Sequence, residues 1–342
     1  QYAISSGAVL ELAVDSGTRD LPTVTFSGAG ILRKTGSGAI SIEAGVATFD
    51  LADGGLLDVQ GGFFGTGGFS NDDLSSNESD LHVAAGATFS VSDNDAYFDA
   101  VTGDGTIQMG YQNDNAFIVG IGNSTSRFDG VIQDTGWNNG NGILNLVKQG
   151  TGTFTVTGAN TYTGTTTISD GSLVVGGSGS LGNGYYGSTI TNNATLIYAS
   201  SVDQILGAVI SGSGDIEKTT ATGSSLSLSG ANTYSGDTSV SAGTLGLYTN
   251  TAAGTGTITL AGSTTLAVRP GLTISNDIHL TGDASIDLAP LLVQYLIVGG
   301  GGGGGASLGE GAGGGGGGAG GFVTGQKVIG SSNVHTVTVG DG

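Results

Sequence analysis

Two stretches of this chain are near copies of each other. Leu146–Val175 reads LVKQGTGTFTVTGANTYTGTTTISDGSLVV, and Asp215–Leu247 reads DIEKTTATGSSLSLSGANTYSGDTSVSAGTLGL. From Gly158 they align without a gap at an offset of 72, with ten of eighteen positions identical. Both alternate Thr, Val, Leu and Ile in short runs, and Gly-containing turns break the runs. Alternation of that kind places every second side chain on one face of a strand. A unit so short cannot bury that face alone, and a period of tens of residues points to stacked coils. A degenerate third opening, GAGILRKTGSGAISI from Gly28 to Ile42, puts Lys34 in the place held by Lys148 and Lys218. The intervals between these lysines differ, 114 and then 70 residues, so insertions separate the copies.

Composition supports strands over helices. The 342 residues include 69 Gly, and only 11% are charged. Gly is costly inside a helix, and Thr and Val lose rotamer freedom there, whereas Thr, Val and Ile suit a pleated surface. The net charge is −20, with eight basic residues spread thinly, so a phosphate-backbone partner is not expected. Such a surface favours solubility and attracts divalent cations. Cysteine is absent, which leaves neither disulfides nor thiolate metal sites. No apolar run reaches the length a spanning helix needs, so no helix is expected to cross a membrane. The chain opens at Gln1 without a signal segment and reads as a processed protein or a piece of a longer one.

Three regions differ in character. Residues 1–145 carry short strand-like runs, such as AVLELAV and LLDV, with Asn/Asp-rich loops (NDDLSSNESD, SDNDAYFD) between some of them. Residues 146–290 are the regular, repeat-bearing part. Residues 291–342 begin with the apolar run LLVQYLIV and continue into Gly299–Gly321, a tract composed mostly of Gly. Gly carries the largest ordering cost of any residue. A folded state of that tract therefore requires close backbone packing in extended, polyproline-II-like strands, or contact with a neighbouring subunit.

The pattern lysine, Gly-x-Gly, alternating strand, GANTY-[ST]-G, strand, then [DA]-G-[ST]-L resembles the passenger-associated repeat of bacterial autotransporters. It covers Lys148–Val175 and Lys218–Leu247, and Ile31–Ile42 more weakly. The resemblance implies an all-β fold, a right-handed parallel β-helix displayed outside the cell, and a repeat that marks the stalk and carries no catalytic residue. No C-terminal membrane barrel, built from many amphipathic strands of about ten residues, is visible. The tail from Val293 resembles a glycine-rich module of virion tail-fibre adhesins and large bacterial surface proteins. That resemblance implies a polyglycine segment and contact with a receptor.

For a solenoid of this kind, about a dozen coils at one strand spacing each give a rod of roughly 60 Å. Leu173, Val175, Leu226, Leu228, Leu245 and Leu247 are expected inward, in apolar ladders. GANTY reads as a turn signature, with Asn160 and Asn232 joining side-chain amides from coil to coil. Open coil ends expose unpaired backbone groups, so self-association into an oligomer or filament is expected.

Candidate chemistry is sparse. His82, His279 and His335 are far apart and hold no metal-ligand spacing. No G-x-S-x-G elbow is present, and the G-x-G strings do not lead from a strand into a helix. Acidic pairs (Asp72/Asp73, Asp93/Asp95, Asp99/Asp104) lie in Asn/Gly-rich loops, a setting that disfavours a glycosidase. Oxygen ligands at alternating loop positions suit a hard cation. They nominate Asp93, Asp95, Asp99 and Asp114 as calcium ligands, although no complete calcium loop is present. Three N-x-[ST] sequons, at Asn77, Asn123 and Asn193, are close to chance in so Ser/Thr-rich a chain. The expected function is a non-enzymatic extracellular structural or adhesive rod, without certain cofactors, binding a surface glycan or receptor. The alternatives are a virion appendage that binds a host receptor and a carbohydrate-active enzyme.

Overall fold

Val9–Ala13 lies parallel to Ile31–Thr35, with Val9 opposite Ile31, and this relation repeats along the chain. The computed structural model describes residues 1–41, 47–65, 74–91, 94–110, 114–134, 141–219 and 223–288, and the backbone of 291–298 and 322–329. Gln1–Asp287 forms one compact unit and Leu288–Gly342 a second. In the first unit, thirteen strands from Val9–Ala13 to Ile278–Leu280 make one continuous sheet, here called the spine. Each spine strand is one coil further on than its partner, and the coils vary in length: Thr153 lies opposite Ser172, and Ser126 opposite the more distant Phe154. The expected parallel β-solenoid is thus the fold, about a dozen coils long. Among the described residues there is no α-helix, and the 3-10 turn Gly182–Gly184 interrupts an otherwise all-β chain.

Each coil brings flanking strands. Those preceding the spine strand form a short sheet, Tyr2–Ala3, Val24–Gly28 and Ala47–Leu51. After a gap they form six more strands, from Ala96–Phe98 to Ile210–Ser211. Those following it run from Thr18–Asp20 to Val131–Gln133 and, after a second gap, from Tyr185–Tyr186 to Ser285–Leu288.

Inward side chains stack in register. Leu32, Leu57, Leu81 and Val101 oppose one another in turn, as do Phe154, Leu173, Leu196 and Ile216. Leu226, Leu245 and Leu266 form a ladder on a flank, beside Leu228, Leu247 and Val268. An aromatic column that sequence periodicity did not reveal runs Tyr2, Phe26, Phe49, Phe64, Phe89, Phe98, Phe117, with ring centroids 5.4–6.2 Å apart. Burying each such side chain contributes about 1.5–3 kcal/mol, while ordering each residue's backbone costs about 1–2 kcal/mol. With one inward residue in two, a coil gains stability only by stacking on its neighbours.

In the second unit, Leu291–Val298 pairs antiparallel with Phe322–Ile329, Leu291 opposite Ile329 and Val298 opposite Phe322. The polyglycine expectation falls on residues 299–321, which lie outside the described residues.

Candidate functional site

The repeat occupies a different face of the solenoid in each copy. The Lys148 strand (Asn145–Lys148) belongs to the flank preceding the spine, whereas the Lys218 strand (Asp215–Lys218) is part of the spine itself. From Leu146 the register climbs through Thr166 and Ile190 to Ile210 in three coils, and the next strand in sequence is Asp215–Lys218. The offset between the copies is therefore three coils plus one face.

In both copies GANTY ends a flanking sheet. Asn160 Oδ1 accepts the N–H of Ile132, in the last strand of its sheet, at 2.9 Å, and its Nδ2 donates to Ser180 O one coil above at 3.2 Å. Asn232 repeats this, accepting from Ile210 N at 2.8 Å and donating to Ala252 O at 2.6 Å. The expected amide-to-amide stacking does not occur, because the two asparagines lie on different faces. Each amide instead bonds the backbone above and below. The tyrosines are fully buried, and each hydroxyl meets the threonine four residues on, Tyr162 with Thr166 at 2.9 Å and Tyr234 with Thr238 at 2.6 Å. A Cβ at Gly158 would fall 1.9 Å from Gly130 O, and one at Gly230 would fall 2.0 Å from Ala208 O, so only glycine lets the coils approach there.

The repeat lysines point inward, at ladder positions between Leu12 and Val59, Val119 and Ile168, and Tyr198 and Val240. Lys34 Nζ donates to the carbonyls of Gly36, Gly38 and Gly61, each at 2.6 Å. Lys148 Nζ donates to Gln149 O at 2.5 Å and Gly150 O at 2.8 Å. Lys218 Nζ lies 5.6 Å from the centroid of the Tyr198 ring. Burial holds all three ammonium groups below the usual lysine range, partly offset at Lys148 by Asp170 and Asp99. At Lys34 and Lys148 the lysine–glycine turn is thus a carbonyl cluster closed by a buried cation.

The nominated calcium ligands serve as coil-to-coil acceptors. Asp95 Oδ1 accepts Ala116 N at 2.8 Å, and Asp114 Oδ1 accepts Ile143 N at 3.1 Å. Asp99 is buried and accepts Gly122 N at 2.8 Å, Ser124 N at 3.1 Å and the Ser124 hydroxyl. Asp93 lies outside the described residues. Among the described residues, no three His, Cys, Asp or Glu side chains are grouped so as to hold a metal. The same device recurs where it was not anticipated: Asp203 accepts Ser225 N, Asp215 accepts Asp237 N, and Asp237 accepts Thr257 N.

A cleft of about 370 Å³ opens at the gap in the preceding flank, between Ala47–Leu51 and Ala96–Phe98. There Leu74–Ser79 fills the rung without forming a strand. Glu78 N donates to Leu51 O and Asp99 N to Ser79 O. Asn77 is buried, donating to Tyr97 O at 2.7 Å and accepting from the Ser79 hydroxyl at 3.0 Å. Asp53, Ser75, Ser76, Glu78 and Tyr97 line the opening, with Ile121 and Gly122 also contributing to its wall. Behind them, burial, with the charges of Asp99 and Asp53, raises the Asp80 carboxyl above its usual range, despite a bond from Ala100 N. Sequence reading passed over this cleft because its walls come from four separate segments. The sole hint was the cluster of Ser, Asn and Glu around Asn77.

The family model described as Passenger-associated-transport-repeat matches residues 146–175 and 223–247, and the one described as Glycine-rich domain matches residues 280–342. No curated protein and no solved structure matches the chain. The repeat matches coincide with the two GANTY sheet ends. Together, fold and matches make this a parallel β-solenoid that carries two passenger-type repeats. No helix among the described residues is long and apolar enough to cross a membrane.

Proposed function

We propose that this chain is the non-catalytic rod of an exported surface protein, with a structural and adhesive role. The observation that carries the proposal is the spine, thirteen parallel strands unbroken from Val9 to Leu280. A sheet of that length is a stiff spacer of roughly 60 Å, and successive coils present loops at regular intervals along it. The passenger-repeat matches support export. Burial of Lys34, Lys148 and Lys218 removes three trypsin sites from the surface, which suits a protein exposed to proteases. The outermost coils expose apolar side chains, Tyr2 and Val9 on the first and Ile278, Leu280 and Ile286 on the last. These support the stacking of a further coil there, from more chain or from a second copy. Neither family match favours the virion appendage.

The test is display. Bacteria carrying this chain on their surface are expected to be retained on host cells or abiotic surfaces several-fold better than non-displaying controls. Surface display established by protease shaving, without any gain in retention, would remove the adhesive role.

A further inference from the structure

We infer that the cleft at the Leu74–Ser79 rung is a saccharide-binding site, accepting a neutral hexose or N-acetylhexosamine unit. This rests on the adhesive reading above and names the chemistry of the contact. Three observations lead to it. First, the cleft is built into the fold: a flanking sheet stops at Leu51, restarts at Ala96, and leaves about 370 Å³ between, within the range of small-ligand sites. Second, its walls are fixed from several coils. Asn77 ties the rung to Tyr97 O, Glu78 N ties it to Leu51 O, and Asp99 anchors Gly122. A Cβ on Gly122 would lie 2.8 Å from the Asp99 carboxylate, so a larger residue there would have to displace the carboxylate that holds this wall.

Third, the lining chemistry selects the ligand. Asp53 and Glu78 are exposed and offer paired acceptor oxygens, and the exposed Ser76 offers a hydroxyl. Tyr97 alternates outward between the buried Ala96 and Phe98 and is half-buried. No Lys, Arg or His is among the described residues lining the opening. An anionic ligand meets two carboxylates on a chain of net charge −20 and is repelled. A purely apolar ligand would strip water from those carboxylates without replacing the hydrogen bonds. A sugar ring satisfies both kinds of wall, since its vicinal hydroxyls donate to carboxylate oxygens while its C–H face packs on an aromatic ring.

The experiment uses the purified full chain and a panel of neutral hexose and N-acetylhexosamine oligomers, with binding read by saturation-transfer NMR and titration calorimetry. At least one oligomer is expected to bind saturably. Tyr97→Ala is expected to weaken it about tenfold, near 1.4 kcal/mol, and Glu78→Gln to weaken it as well, each with an unchanged melting temperature. Should Tyr97→Ala fail to fold, Glu78→Gln with Ser76→Ala tests the same wall. No saturable binding at millimolar sugar, or binding indifferent to these substitutions, overturns the inference. So does a cleft that takes spermidine or Ca²⁺ in place of the sugars. Because binding is measured on purified protein, a negative result leaves the rod's surface display and retention standing on their own test.

Discussion

Asn160 Oδ1 accepts the backbone N–H of Ile132 at 2.9 Å, so a side chain from the repeat stands where the next strand of the sheet would be. Thr161 N–H reaches the Ile132 carbonyl at 2.9 Å, and both backbone polar groups of Ile132, on the strand that ends the sheet, are satisfied. Asn232 and Thr233 treat Ile210 in the same way. The repeat is a local cap on a flanking sheet, and the spine continues past it.

Asn160→Ala leaves the Ile132 N–H without this buried partner, while the Ser180 carbonyl keeps its 2.9 Å bond from the backbone N–H of residue 160. The expected loss is about 1–3 kcal/mol for the one unsatisfied group. Hydrogen exchange checks it directly: the Ile132 amide should lose protection in Asn160→Ala, and the Ile210 amide should not. Asn232→Ala should reverse that pattern.

Gly158→Ala and Gly230→Ala should be far more damaging than Gly54→Ala. The first two place a methyl against a carbonyl oxygen of the neighbouring coil, at 1.9 and 2.0 Å, and the backbone must separate to admit it. Gly54 has open space and only its φ of +76° to resist a side chain, a cost of about 1–2 kcal/mol. Denaturant melts should rank them, with the repeat variants losing about 3 kcal/mol or more.

The buried lysines should resist acylation by a water-soluble succinimidyl ester until denaturant is added, with peptide mapping as the readout. Lys148→Met keeps the apolar stem and strands the Gln149 and Gly150 carbonyls, at an expected cost of about 1–3 kcal/mol. A lysine held below its usual range in the folded state sheds its proton before the unfolded chain does. Its burial penalty is therefore full below the depressed value, and it is relieved as pH rises from there to 10.5.

The tyrosines oppose that trend at higher pH. Burial raises Tyr162 and Tyr198 to about 12, and raises Tyr186 and Tyr234 as well. Groups raised in the folded state contribute stability that is whole below the unfolded value, 10.0, and is lost as pH climbs through the folded values. Phenolate absorbance should show a late group of tyrosines that ionises together with loss of the β-sheet circular dichroism signal.

Asp80 has the opposite sign to a salt-bridged carboxylate. Because burial raises it, the folded chain holds its proton where the unfolded chain has lost it, and stability falls as pH rises from 3.8 through the folded value. Asp80→Asn keeps an acceptor for Ala100 N–H and removes the charge. Its melting temperature should exceed that of the parent at neutral pH, and the difference should disappear in acid.

Stacked strands were legible because alternation is local: TFTV and SLSL declare their faces without knowledge of any partner. The duplication in GANTY was equally visible, and so was its association with turns. Its work was not, because Asn160 reaches back to Ile132 in an earlier coil and forward to Ser180 in a later one. Lys34, Lys148 and Lys218 were aligned correctly by their glycine turns, yet a lysine in a Gly-rich run reads as exposed. Only the inward pleat of Lys34 and Lys148 shows that their carbonyl partners make burial tolerable.

What the sequence by itself determined is the period, the strand chemistry and the passenger-type repeat, all properties of residues near one another in the chain. Tertiary structure decided which face each copy occupies, since the offset between the copies turns the second one face around the solenoid. It also turned Asp95, Asp99 and Asp114 into coil-to-coil acceptors, and it opened the cleft between Asp53, Glu78 and Tyr97. The physical reason is common to all of these. In a solenoid every residue's nearest neighbours lie a whole coil away in sequence. The coil that sets Ser172 on Thr153 is shorter than the next, which sets Thr195 on Ser172, and such differences change who meets whom without changing any local pattern.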